Sequence, residues 1–234
     1  VTVTLESART EVRSLLDEPT AQFWLDSEIN SWLNQGAQDI ARQAQALWMQ
    51  LEVSAVPDQQ FYALPQDFLG VHRLDFQLDN ADQTYNLEFR GIKAMDEIWG
   101  ILHQLPAAFP TAFYLWNDTG LPGGQPYFAT YPVVGSTGTF ICYYYRNAIP
   151  ATADTALLDV TPAYEDIAYE YAVAKAKRKD RDPSWQEAMK MYQDQLQMMF
   201  NKTSRFSDQG DQFTSGAGPN WPIYMYSDVN DGGW

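Results

Sequence analysis

Apolar residues in this chain recur at helical spacing near both ends and at alternate positions through its middle. That switch of period limits the folds open to it more than any other feature. The longest helical series runs Ile29, Trp32, Leu33, Ala37, Ile40, Ala41, Ala44, Leu47 and Trp48, in steps of three and four that line one face. Before it, Leu5, Ala8, Val12, Leu15 and Leu16 form a shorter stripe behind Thr4, a good N-cap. Glu18-Pro19 should end that first helix, because the residue before proline disfavours helical backbone. Asp26-Ser27 offer caps for the second. Helical spacing returns after Thr161-Pro162 with Tyr164, Ile167, Ala168, Tyr171, Ala172 and Lys175. Asp182-Pro183 repeats the same start signal before Trp185, Ala188, Met189, Tyr192, Leu196, Met199 and Phe200. Two helices joined by so short a polar turn should pack antiparallel.

Between these pairs the character is that of strands. Residues 51–56, 61–64, 71–78, 85–89, 112–116, 127–131 and 139–146 are apolar or alternating runs bounded by Pro, Gly, Asn and Asp. In the third run Val71, Arg73, Asp75 and Gln77 should share one face. Residues 93–104 read as a short helix, and turn spacing predicts five to seven strands. The expected fold is α+β. It has a helical core from residues 1–50 and 160–202, two helices from each end, a β-rich insertion at 51–159 and an extended C-terminal tail at 203–234.

The helical period stops at Asn201. The tail that follows is rich in Gly, Asp, Ser and Asn, yet it carries Phe206, Phe213, Trp221, Tyr224, Tyr226 and Trp234. Such a composition cannot bury a core of its own, whereas each aromatic ring offers a large apolar contact area. Either the tail folds back over its own domain or it lies on another subunit.

Catalytic chemistry finds little purchase. The two histidines, His72 and His103, fall in different elements, and the single cysteine, Cys142, sits in an apolar strand with no His nearby. There is no phosphate-cradling Gly loop, nucleophile elbow or metal-spaced Cys/His set. The aspartates at 79, 82, 208, 211, 228 and 231 lack the spacing and closing Glu of a calcium loop. We therefore expect no enzyme, cofactor or metal. One cysteine allows no internal disulfide, and no apolar run approaches the roughly 20 residues that span a bilayer. A formal charge of −15 argues against gripping nucleic acid through its phosphates, and suits a surface that DNA passes without sticking. Against that acidity stands one basic cluster, Lys175, Lys177, Arg178, Lys179 and Arg181. It either complements a helix C-terminus or meets a ring neighbour or partner.

The order of motifs resembles that of phage head-to-tail adaptor proteins. Trp24-Leu25-Asp26-Ser27-Glu28-Ile29-Asn30-Ser31-Trp32-Leu33-Asn34-Gln35-Gly36-Ala37 is similar to their opening. There an aromatic and a capping Asp/Ser lead into a long helix. Tyr62-Ala63-Leu64-Pro65-Gln66-Asp67-Phe68-Leu69 is similar to their strand-ending bend. Asp211-Gln212-Phe213-Thr214-Ser215-Gly216, after a final amphipathic helix, resembles the C-terminal tail of the gatekeepers of short-tailed phages. This resemblance implies a structural virion protein, made in the host cytoplasm. It would form a dodecameric ring beneath the portal, joined to tail, nozzle or stopper proteins, with DNA passing through its lumen. It also implies that Asp211, Phe213, Thr214, Ser215 and Gly216 dock on the portal. The chain departs from the shorter gatekeepers by continuing through Trp221 to Trp234. Two other readings stay open. One is a different neck component, such as a stopper or nozzle subunit. The other is a carbohydrate-binding β module, raised by the 8 Trp and 14 Tyr.

Overall fold

The computed structural model describes residues 3–211 apart from 80, 82, 92, 95–106, 119–123 and 163. The helix expected over 93–104 lies almost wholly outside the described residues. Among them the chain forms helices α1 (Leu5–Leu15), α2 (Asp26–Ala44), α3 (Glu165–Asp180) and α4 (Trp185–Asp211). Among the described residues, eight strands stand between α2 and α3: β1 (Trp48–Ala55), β2 (Phe61–Ala63), β3 (Phe68–Leu78), β4 (Thr84–Asn86), β5 (Glu88–Phe89), β6 (Ala112–Asp118), β7 (Gln125–Tyr131) and β8 (Gly138–Arg146). This is the expected α+β arrangement, with one strand more than the upper expectation. The run at 85–89 splits at Leu87, whose side chain is buried and whose N–H donates to the Leu74 carbonyl.

The apolar stripes do what their spacing predicts as far as Ala44; Leu47 and Trp48, read as the end of the α2 series, lie past that helix, and Trp48 opens β1. Leu5, Ala8 and Val12 of α1 meet Ile29, Leu33, Ala37, Ile40, Ala41 and Ala44 of α2 in one helical core. Ile167, Ala168, Ala172 and Val173 of α3 join them, with Tyr192, Leu196 and Met199 of α4. Gly36 marks a close approach of α2 to α3. A Cβ there would stand 3.2 Å from the Tyr171 side chain and 3.3 Å from the Ala168 carbonyl oxygen.

Local signals at the helix starts fare unevenly. Thr4 caps α1, its hydroxyl accepting the Ser7 N–H at 3.2 Å. Asp26 does not cap α2, whose cap position is Leu25 and which uses Glu28 to accept the Leu25 N–H; Arg13 claims the Asp26 carboxylate instead. Thr161 does not cap α3 either. Its hydroxyl donates to the Ala46 carbonyl, and the helix begins at Glu165. Helix α4 runs on to Asp211, past Asn201, so part of the stretch read as extended tail is helical.

The strands form two four-stranded sheets, ordered β1-β8-β3-β4 and β2-β7-β6-β5. All pairings are antiparallel except β5 with β6. Their inner faces share a second core, in which Tyr62, Phe128 and Phe140 lie with ring centroids 4.9–5.2 Å apart. Strand β3 departs from simple alternation. Opposite β8, its register slips at Leu69 and again at His72. The extra residue turns Val71 to pair with buried Tyr144, whereas Arg73, Asp75 and Gln77 pair with Tyr143, Ile141 and Thr139 on the other face. Val71 therefore does not share a face with the other three, because a bulge inserts one residue into a period of two.

Residues 147–161 form no regular element, yet Ala148, Ala151, Leu158 and Val160 are buried in the helical core, not in the β core. They strap across α1 and α2. The Leu5 N–H donates to the Ala156 carbonyl, and the Leu158 N–H to the Val3 carbonyl. A stretch without period carries no sequence signal for which core will take it.

Candidate docking surfaces

The motif that opens α2 is built into the molecule rather than displayed. Glu18 folds beneath the following turn and accepts the N–H groups of Gln22, Phe23 and Trp24. Buried Arg13 donates to the Trp24 carbonyl at 2.8 Å and to Asp26 Oδ1 at 2.6 Å. The Trp24 indole N–H reaches the Ala176 carbonyl on α3 at 3.3 Å. Glu28 receives the Lys179 ammonium at 2.8 Å on both carboxylate oxygens. That hydrogen bond, with the Leu25 N–H, holds the Glu28 carboxyl below the usual carboxylate range. Buried polar groups need partners of this kind. What the corner leaves exposed is apolar: Phe23 and Leu25.

The basic cluster at the end of α3 is partly engaged within the chain. Lys175 lies 5.0 Å from the Tyr171 ring centroid, and Arg178 5.3 Å from that of Trp185. Lys179, besides pairing with Glu28, sits 5.2 Å from the Phe23 ring centroid. Arg181 takes a left-handed backbone conformation (φ 59°), and its N–H closes the helix on the Arg178 carbonyl. Lys177 is half-buried. Cations at a helix C-terminus also complement its dipole. Arg178, Lys179 and Arg181 are still exposed, with Lys179 lying against Phe23.

The second motif, the bend from Leu64 to Phe68, lies at the junction of the two cores. Leu64 is buried in the β core, Phe68 stacks near Tyr144, and the Asp67 carbonyl accepts the Asn147 N–H at 2.7 Å. Beside it, Arg146 grips Asp159 through both terminal guanidinium nitrogens, Nη1 and Nη2, at 2.5 and 2.8 Å, and the Ile149 N–H adds a third bond at 2.7 Å. Burial pushes the Asp159 carboxyl upward. The bonds from Arg146 and Ile149 outweigh it and leave the group below the ordinary aspartate value. The Arg146 backbone N–H also donates to the Leu47 carbonyl. Together these bonds clamp the β module to the end of α2. Sequence reading missed Arg146 and Asp159. The available signal was an arginine closing the Tyr-rich strand, followed by two aspartates, Asp154 and Asp159, in a stretch of mostly apolar and small residues.

His72 lies on β3. Its ring packs against Trp48, with centroids 4.4 Å apart, and its Nδ1 lies 3.4 Å from the Tyr145 hydroxyl on the outer face of the first sheet. Cys142 is buried, and burial pushes its thiol up to about 12. His103 lies outside the described residues. No group of His, Cys, Asp or Glu able to hold a metal ion occurs among the described residues, nor does any helix long and apolar enough to cross a membrane.

Of the tail anchors, Phe206 and Asp211 fall in the last turns of α4. Phe213, Thr214, Ser215, Gly216, Trp221, Tyr224, Tyr226 and Trp234 lie outside the described residues. The place from which they emerge is nevertheless fixed. The Lys179–Glu28 pair puts the end of α3 at the start of α2, so α4, returning from α3, runs in the same direction as α2. Tyr192 donates to Asp39, which sets the two helices level. At about 1.5 Å per residue, α4 outruns α2 by about 20 Å, on the side where β1 begins.

No curated protein matches the chain. Among solved structures, the neck of an empty GTA particle computed with C6 symmetry aligns at 15% identity, covering 76% of this chain and 82% of that chain, with a TM-score of 0.28. The SU10 adaptor protein family matches over residues 3–220, from just before α1 through all three motifs singled out above. The chain belongs to the SU10 adaptor protein family.

Proposed function

We propose that this protein is a head-to-tail adaptor of a phage particle. Copies would form a dodecameric ring beneath the portal, join it to tail, nozzle or stopper proteins and line the channel through which DNA leaves. The observation that carries this reading is the family match over residues 3–220, which takes in the α2 opening, the Leu64–Phe68 bend and the Asp211–Gly216 segment together. Physical features support it. The clamp of Arg146 on Asp159 joins two cores into a body suited to a ring wall. A charge of −15 would let DNA slide, since attraction to phosphate would hold it back.

In this reading the segment after α4 docks on the portal through Asp211, Phe213, Thr214, Ser215 and Gly216. Phe206, Trp221, Tyr224, Tyr226 and Trp234 supply aromatic anchors for the portal or a neighbouring subunit. A segment that orders on its partner gains most from a few large side chains spaced by flexible chain. The exposed Arg178, Lys179 and Arg181, with Phe23 and Leu25, would face a ring neighbour. The protein acts as a structural component, with no catalytic step.

The test is a capture of portal rings by the full chain and by a chain ending at Asp211, read by electron microscopy. Rings seated on the portal with the full chain alone support the reading. Capture of a tail or neck ring instead of the portal would replace it with a stopper or nozzle role.

A further inference from the structure

We propose that the open edge of β1 seats a fifth strand supplied by this protein's own C-terminal segment, residues 223–227. Strand β1 is terminal in its sheet. It spans eight residues, whereas the other edge strands, β2, β4 and β5, span three, three and two. Apart from the ladder to β8, no residue of β1 takes part in a backbone hydrogen bond among the described residues. A long edge of this kind is normally blunted by lysine, proline, a bulge or a covering loop. The sequence of β1 contains no lysine, arginine or proline, and its register with β8 is unbroken.

Burial shows the same edge to be unfinished. Leu51 and Val53 point to the β core, opposite fully buried Cys142 and Phe140, yet they are themselves only half-buried. Met49, on the same face, is 51% exposed. One more strand would cover all three.

The occupant follows from where the chain ends and what it carries. Helix α4 delivers the C-terminal segment about 20 Å beyond the end of α2, on the side where β1 begins. Within that segment Ile223, Tyr224, Met225, Tyr226 and Ser227 form a run of good strand formers with no charge among them. Pro222 can precede an added strand without removing a needed donor. The alternation is complementary as well. Ile223 and Met225 would lie over Leu51 and Val53, while Tyr224 and Tyr226 would extend the outer face that already carries Tyr143, Tyr145 and Trp48. Main-chain bonds would supply affinity, and the alternate side chains specificity. The pairing needs no portal and leaves the Asp211–Gly216 docking segment free; it takes Tyr224 and Tyr226 as part of this sheet in place of anchors on the portal.

The test is hydrogen exchange on the purified full chain, on a chain ending at Gly216 and on the variant Met225→Pro, all without portal. In the full chain, amides of residues 48–55 and 223–227 should exchange at least about tenfold more slowly than in the other two. A second measurement places cysteines by Gln50→Cys and Tyr226→Cys in one chain. Oxidation should link them, and mixing two tagged versions tells whether the strand comes from the same copy or a neighbour; either supports the pairing. Equal exchange of β1 in the full and shortened chains would overturn the proposal. So would protection that appears only with portal. Efficient disulfide linkage between two copies of the single variant Gln50→Cys would overturn it too, since β1 would then pair with another β1.

Discussion

Asn34, midway along α2, exchanges two hydrogen bonds with the peptide of Ala151. Its Nδ2 donates to the Ala151 carbonyl at 2.9 Å, and its Oδ1 accepts the Ala151 N–H at 2.8 Å. One side chain thereby fixes the path of a strap that has no secondary structure of its own. Asn34→Ala should lower stability by about 2 kcal/mol, because a buried peptide loses both partners. Urea denaturation of the two proteins checks this, and Asn34→Asp should not recover the loss, since a carboxylate cannot donate to the carbonyl.

The Arg146–Asp159 clamp should make stability depend on pH in a defined direction. The folded Asp159 carboxyl titrates below its unfolded value. Its contribution is therefore present above the unfolded pKa, about 3.9, and disappears as pH falls through the folded pKa. Asp159→Asn should cost about 2 kcal/mol at pH 7, and the gap to the parent protein should close at strongly acid pH. A gap that is constant from neutral to acid pH would mean that the charge does not matter.

Adjacent methionines on α4 should respond oppositely to truncation. Met199 is 1% exposed in the helical core, and Met198 is 59% exposed. Met199→Ala should cost about 2–5 kcal/mol, whereas Met198→Ala should fall within about 0.5 kcal/mol of the parent. Thermal unfolding of both variants reads the difference.

Cys142 should resist thiol reagents in the folded protein. Its sulfur is buried and its thiol is pushed up to about 12, so little thiolate is present at neutral pH. Labelling should track global unfolding in denaturant; rapid labelling of the native protein would show that β8 opens locally.

Gly36→Ala tests the contact between α2 and α3. Alanine favours a helix by about 1 kcal/mol over glycine, but here its Cβ would press on the Ala168 carbonyl, which is backbone and cannot swing aside. The variant should gain nothing and lose about 1 kcal/mol, read by urea denaturation.

Local physics written into the chain determined the elements. A 3.6-residue apolar period can be satisfied only by a helix with one buried face, so the helical cores of α1 to α4 were legible from Leu5 to Met199. Alternation did the same for β1 and β8, and the ordered motifs pointed to the family that the match over residues 3–220 shows. Tertiary structure decided what has no period. Asp26 and Thr161 look like caps, yet Arg13 of α1 and the distant Ala46 carbonyl engaged them instead. The bulge at His72 turned Val71 inward because its pairing depends on β8, some 70 residues later. Residues 147–161 joined the helices because Asn34 and Val3 offered partners that no local pattern announces. Periodicity encodes which side of an element seeks burial. Only assembly of the chain decides which group arrives to satisfy each remaining donor and acceptor.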